Sequence, residues 1–211
     1  QGKYQSTPTY ARAALAAGNR ISGPALIEEH ASTTVLLPGD RLAVDANAGN
    51  PHYLPTIERW HPISADQVLL LDLWGKTKAP GAVFADITWM GYTGRAVPER
   101  FARAFTAIRD ARDAAVELVQ SSVRAGRELC GWEVDRAAMT VLRDAGYADN
   151  ILHRTGHSLG TTVHGNGVNM DDYETHDDRR LLAGSGFTIE PGVYFDDFGV
   201  RTEINMVVAP R

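Results

Sequence analysis

His153-Arg154-Thr155-Gly156-His157-Ser158-Leu159-Gly160 is the stretch from which the rest of the chain can be read. It sets His157 between two glycines, where backbone can approach closely, and places a second imidazole four residues earlier. Reading outward, carboxylates recur in apolar, strand-like settings. Glu190 follows Phe187-Thr188-Ile189 and precedes Pro191-Gly192, and Glu203 sits in Val200-Arg201-Thr202-Glu203-Ile204-Asn205-Met206-Val207-Val208. Upstream, Asp72 ends the run Val68-Leu69-Leu70-Leu71, and Asp86 interrupts Val83-Phe84-Ala85-Asp86-Ile87-Thr88-Trp89. Carboxylates placed against apolar strands are costly to bury unless a positive charge compensates them. One or two divalent cations would do so, which makes Asp72, Asp86, His157, Glu190 and Glu203 a candidate metal-ligand set.

An oxygen-rich set with one imidazole suits Mn, Co, Fe or Zn rather than thiolate-selecting metals, and the single Cys130 lies outside these motifs. Two cations about 3.5–4 Å apart can share a water and lower its pKa, giving hydroxide at neutral pH. The natural reaction is hydrolysis of an activated carbonyl such as a peptide bond. His164, seven residues past His157, and His153 could stabilise an oxyanion or move a proton.

The organisation is read from periodicity and turn residues. Strands around 67–73 and 82–90 are joined by a Lys/Pro/Gly connection, which predicts a hairpin. If the register allows, Asp72 and Asp86 then face the same side. Pro98 fits a first helical turn. Phe101, Phe105, Ile108, Ala111, Ala115 and Val119 mark one helical face running to about Gly126. A second helix carries Val134, Ala137, Ala138, Val141, Leu142 and Ala145, with Gly146 placed to end it. Residues 1–46 differ in character: turn-rich, with strands expected at Ala25-Leu26-Ile27, Thr33 to Leu37 and Leu42-Ala43-Val44, and one or two helical turns at Tyr10 to Ala17.

The strings Asn50-Pro51-His52-Tyr53, Leu71-Asp72-Leu73-Trp74, Ala85-Asp86-Ile87-Thr88, Gly156-His157-Ser158-Leu159-Gly160, Val163-His164, Thr188-Ile189-Glu190-Pro191-Gly192 and Arg201-Thr202-Glu203 together resemble the pita-bread metallopeptidases, which include methionine aminopeptidases, aminopeptidase P and prolidase. The resemblance covers residues 47–211 and implies an α+β fold, here a partial pita-bread domain preceded by a short β-rich segment. It implies that Asp72 chelates one of two divalent metal ions, with Mn the first choice and Co, Zn or Fe the others. His157 and Glu190 would hold the second, and Asp86 and Glu203 would bridge both. His153, His164 and Glu190 are then the catalytic candidates, His52 lies on the substrate side, and Arg201 supports the carboxylates from behind. His153 through His157 with Arg201-Thr202-Glu203 is more similar to the Xaa-Pro branch, implying attack by a metal-bridging hydroxide on Xaa-Pro dipeptides or N-terminal Xaa-Pro bonds. A short peptide is the expected partner, and a homodimer the expected assembly. The sequence departs from the family pattern in three ways: little chain precedes Asp72, Gly165 stands where an acid follows the second His, and the Asp72-to-Asp86 connection is a few residues longer.

Residues 1–46 are similar to something else. Tyr10-Ala11-Arg12-Ala13-Ala14-Leu15, then Gly18 to Glu29, then Ser32-Thr33-Thr34-Val35 and Pro38-Gly39 resemble the C-terminal tail of hydantoinase A and oxoprolinase-type subunits. No catalytic residue transfers with that likeness.

The bulk properties bound what else is expected. A net charge of −5 gives no overall attraction to nucleic acid or an anionic membrane, and no apolar run reaches the roughly 20 residues of a spanning helix. Gln1-Gly2-Lys3-Tyr4-Gln5 has no apolar core of a secretion signal, and a lone cysteine fits a reducing compartment, so cytoplasm is the expected location. His30, His61 and His176 read as surface residues; Trp74, Trp89 and Phe187 read as core. Asp171-Asp172 and Asp177 to Arg180 read as a solvated mixed-charge loop. Two other readings remain open: an inactive pita-bread module that retains metal binding, and lyase or other hydrolase chemistry on the same centre.

Overall fold

The alternation Val68-Leu69-Leu70-Leu71-Asp72 sends every second side chain to one sheet face, and this places the first ligand candidate. In the computed structural model, which describes residues 9–11, 25–29, 32–36, 41–53 and 62–209, Val68 and Leu70 are buried and Asp72 points to the same side. Strands β1 (Thr9–Ala11), β2 (Ala25–Glu29) and β3 (Ser32–Leu36) form one small sheet, with β1 parallel to β2 and β2 antiparallel to β3. Tyr10 and Ala11 therefore lie on a strand, not in the helical turns expected there. Residues 12–17, His30 and His61 lie outside the described residues.

A second sheet runs β4-β5-β6, from β4 (Arg41–Val44), β5 (Val68–Gly75) and β6 (Ala85–Tyr92). The expected hairpin is β5–β6, with Asp72 opposite Thr88 and Trp74 opposite Asp86. Asp72 and Asp86 are thus diagonal neighbours on one face. That register also explains Trp89. It opposes Leu71 on the other face and is 67% exposed, so it is not the core residue expected from its composition. β4 pairs with β5 in the register Arg41↔Asp72 to Val44↔Leu69, although it precedes residue 47, where the metallopeptidase-like portion was expected to begin.

Helix α1 (Glu99–Ala125) starts after Pro98 and stops at Gly126, whose φ of 68° supplies the left-handed conformation of a helix end. Its buried face includes Phe101, Ala104, Ile108, Ala111, Ala115 and Val119; Phe105 turns half outward because Ala104 takes the inward position. Helix α2 (Gly131–Asp144) packs on α1 through Val134, Ala138 and Leu142. The helices cover β8 (Gly186–Ile189), β9 (Gly192–Tyr194) and β10 (Gly199–Arg201) through Phe187, Ile189, Val193 and Val200, all buried. β8 is central in the sheet β11-β8-β7, with β7 at Ser158–Leu159 and β11 at Ile204–Val207.

The acidic stretch after Met170 is not a solvated loop throughout. Asp171 and Asp177 are buried because each carboxylate collects backbone N–H groups: Asp171 from Tyr173, Glu174 and Thr175, Asp177 from Asn169 and Arg179. His176 is exposed as expected and stacks on Trp132. Among the described residues, no helix is long and apolar enough to cross a membrane.

Candidate metal centre

β8 carries the residues that bring the imidazole and a carboxylate together. Phe187 and Ile189 turn into the helical core, while Thr188 between them turns to His157 and accepts its N–H at 2.9 Å. The Thr188 hydroxyl in turn donates to Glu190 Oε1 at 3.0 Å, and Glu190 N–H donates to the Thr155 carbonyl. His157 Nε2 consequently lies 3.4 Å from Glu190 Oε1 and 3.5 Å from Asp86 Oδ2.

Glu203 reaches the same place from a different strand. An isolated bridge pairs Thr88 with Glu203, and the Thr88 hydroxyl donates to Glu203 Oε2 at 2.7 Å. The Asn205 amide clamps the backbone of Asp86 from both sides, accepting its N–H and donating to its carbonyl. Ligand atoms of Asp86, His157 and Glu203 lie within 4.8 Å of one another, all buried. Asp72 and Glu190 complete the set along one cleft of about 200 Å3, whose walls also include His52, His153, His164, Arg154 and Glu174.

Arg201 organises the acids from behind. Its Nη2 lies 2.7 Å from Asp72 Oδ2, its Nε donates to Thr88 Oγ1 at 2.9 Å, and Glu190 is 4.0 Å away. Thr88 therefore accepts from Arg201 and donates to Glu203 in one chain of hydrogen bonds. The surrounding acids hold the guanidinium firmly charged against its burial.

Arg201 pairs with Asp72 and approaches Glu190, yet the local electrostatics show an excess of buried acid. Burial pushes the Glu190 and Glu203 carboxyls upward, Glu203 well above the usual range, where neighbouring Glu190 and Asp86 add to the effect. His157 is desolvated, yet its hydrogen bond with Asp86 and the Glu190 charge hold its pKa up. Asp86 Oδ1 and Glu203 Oε1 are buried with no hydrogen-bond partner among the described residues. Buried carboxylate oxygens without partners, converging on an imidazole nitrogen, are what a divalent cation satisfies. The residues present fit such a group.

The remaining candidates occupy distinct settings. His164 is exposed at the cleft and meets the His157 ring edge-on at 4.4 Å between centroids. His52 is exposed in the cleft wall, with its backbone N–H on the Asn50 side chain. His153 is buried, and both of its ring nitrogens are engaged. Nδ1 lies 2.6 Å from the Arg154 carbonyl, an acceptor only, so it carries the hydrogen; Nε2 then accepts the Tyr194 hydroxyl at 2.7 Å. Burial and the nearby Arg201 push the His153 pKa down to about 3, keeping the ring neutral. The Tyr194 hydroxyl is pushed up to about 12 by burial and stays protonated. Thr88, Tyr194 and Asn205 are site residues that the motif reading missed. Thr88 could have been found, since it lies two residues past Asp86 and so shares its face.

Comparison with known proteins places the chain in a family. The model of metallopeptidase family M24 matches residues 28–210. The chain belongs to that family. The model of the hydantoinase/oxoprolinase C-terminal domain matches residues 1–48, so the two matches overlap. A Xaa-Pro dipeptidase of Lactobacillus helveticus is 30% identical over 158 residues, covering 74% of this chain and 38% of the relative. A probable dipeptidase of Mycobacterium bovis is 36% identical over 109 residues, 51% of this chain and 26% of the relative. Among solved structures, a dipeptidase from Pyrococcus horikoshii superposes with a TM-score of 0.67 at 32% identity, covering 80% of this chain and 43% of that one. The fold is a partial pita-bread domain, and the chain spans less than half the length of these relatives.

Proposed function

We propose that the cleft holds two divalent cations, Mn the first candidate, and hydrolyses Xaa-Pro dipeptides. The observation that carries this reading is the convergence of five ligand side chains on one cleft in which Asp86 Oδ1 and Glu203 Oε1 are buried without partners. The Xaa-Pro dipeptidase and probable dipeptidase relatives support the choice of substrate class. When bound, the cations would supply an activated water and a Lewis acid. Asp72 would ligate on one side, His157 and Glu190 on the other, with Asp86 and Glu203 between. Arg201 and Thr88 hold Asp72 and Glu203 from behind, through the Asp72 pair and the Thr88 hydrogen bonds. His164, exposed in the cleft against His157, is placed to stabilise charge developing on a substrate oxygen there. His153 works through Tyr194, whose hydroxyl it orients.

The test is proline release from Ala-Pro by the Mn-loaded chain, with Asp86→Ala and His164→Ala beside it. Wild type releases proline only when metal is supplied. Asp86→Ala falls by about 1,000-fold or more; His164→Ala falls by about 100-fold with metal content unchanged, the scale of losing one oxyanion donor. Two bound Mn per chain without proline release from any Xaa-Pro dipeptide would sink the peptidase reading and leave a metal-binding module.

A further inference from the structure

The strap from β4 through Tyr53 sits between the two parts of the site that must stay in register. On one side it is bonded to the Asp72 strand: β4 pairs along Leu69 to Asp72, and Asp45 Oδ1 accepts the Val68 N–H at 2.8 Å. Asp45 does this from a φ of 46°, a left-handed conformation that Asp and Asn tolerate better than most residues. On the other side the strap is pressed against the β9–β10 turn that leads to Arg201. A methyl group built on Gly49 would lie 2.2 Å from the Phe195 carbonyl oxygen, and one on Gly199 would lie 2.0 Å from the Ala48 carbonyl oxygen. Backbone meets backbone there, and only glycines fit. A cavity of about 10 Å3, room for about one water, is lined by Ala43, Ala48, Tyr53 and Leu70 together with Asp72 and Arg201. Near its end the strap places Pro51 and His52 in the wall of the cleft.

We propose that residues 41–53 are a positioning strap that holds Asp72 and Arg201 in their 2.7 Å pair, and that β4 is shared by the two family segments. Residues 28–48 are claimed by both family models, and β4 falls within that overlap. The junction between the segments is therefore a strand of the metal-site sheet, not a linker ahead of it. The inference rests on the metal reading only for its metal-binding readout.

The test uses the full chain carrying Gly49→Ala, Asp45→Gly or Asp45→Asn. Asp45→Gly removes the acceptor for Val68 N–H while easing the backbone; Asp45→Asn keeps both acceptor and left-handed tolerance, so it should rescue. In the metal-free chain, amide exchange over residues 69–73 is expected to quicken at least about 10-fold in Gly49→Ala and Asp45→Gly, with residues 186–189 unchanged and Asp45→Asn like wild type. On Mn2+ titration the two disruptive variants lose about 10-fold in affinity, and lose nothing further in an Asp72→Ala background. Unchanged exchange at 69–73 in Gly49→Ala, or equal quickening at 69–73 and 186–189, overturns the proposal. So does a loss of Mn2+ affinity that persists undiminished beside Asp72→Ala. A wild-type chain that binds no Mn2+ overturns the metal reading instead, and the strap then stands or falls on the exchange rates.

Discussion

Thr88 shows how much one hydroxyl can carry. It is buried, accepts from Arg201 Nε and donates to Glu203 Oε2, so the guanidinium and a carboxylate are joined through a neutral group. Replacing it with valine keeps shape and burial but leaves a donor and an acceptor unpaired. A buried group stripped of its partner costs about 1–3 kcal/mol, more when charged. Thr88→Val is therefore expected to lose about 1–3 kcal/mol in metal-free urea unfolding, while Thr88→Ser keeps most of the stability; equal stability of Thr88→Val and wild type would count against the relay. At this scale the five ligand candidates, which line one cleft, were legible because each is a carboxylate or imidazole in a setting that penalises it. Asn205 was not, because it acts on the Asp86 backbone across a strand pairing that no local pattern encodes. The occupied state of His153 was not legible either, since it depends on Tyr194 arriving from β9.

Secondary-structure elements were legible where period and punctuation agree. β5, β6, α1 and α2 follow from apolar spacing and from Pro98, Gly126 and Gly146. Trp89 was misplaced because composition ranks it as core while register sends it outward. The start of α2 rests on a contact that spacing does suggest. Glu133 Oε2 accepts the Cys130 N–H at 2.9 Å and Oε1 takes Arg127 Nη1 at 2.8 Å, the reach-back of an acid at the third helical position. Burial pushes this carboxyl up, but the Cys130 amide and Arg127 outweigh it and hold its pKa below the usual 4.5. A depressed acid stabilises the fold above its unfolded pKa, and that contribution is lost as pH falls below about 4.5 through the folded value. Glu133→Ala is expected to lower stability at pH 7 by about 0.5–2 kcal/mol, the range of a lost cap. Glu133→Gln keeps the acceptor, costs less at pH 7, and flattens the acid limb below about pH 4.5. Thermal melts across pH 3–7 read both, and an unaltered acid limb in Glu133→Gln would remove Glu133 from the account.

For the whole molecule, the proposed metal site sets stability against function. Asp86, Glu190 and Glu203 converge in a buried cleft with Arg201 as the nearest guanidinium, and Glu203 is pushed well above the usual carboxylate range. An acid whose folded pKa is raised destabilises the metal-free fold as pH rises from its unfolded value through its folded one, because the folded state then binds the extra proton. Glu203→Gln removes that charge and is expected to raise the metal-free melting temperature at pH 7. It also removes a candidate ligand from the cluster with Asp86 and His157. Ligand at about 100 times its Kd stabilises a fold by about 2.7 kcal/mol. For a chain of this size that corresponds to roughly 5–10 °C, taking about 2–4 °C per kcal/mol. Wild type should therefore gain roughly that much in saturating Mn2+ and return to its starting point on chelation. In Glu203→Gln the metal-free curve should lie above wild type, and most of the Mn2+ shift should be gone. The two curves cross because the same carboxylate opposes folding when alone and favours it when a cation is shared. A variant that melts below wild type without metal, yet gains the full shift with it, would mean that Glu203 is an ordinary structural acid and that the centre is built from the other four side chains.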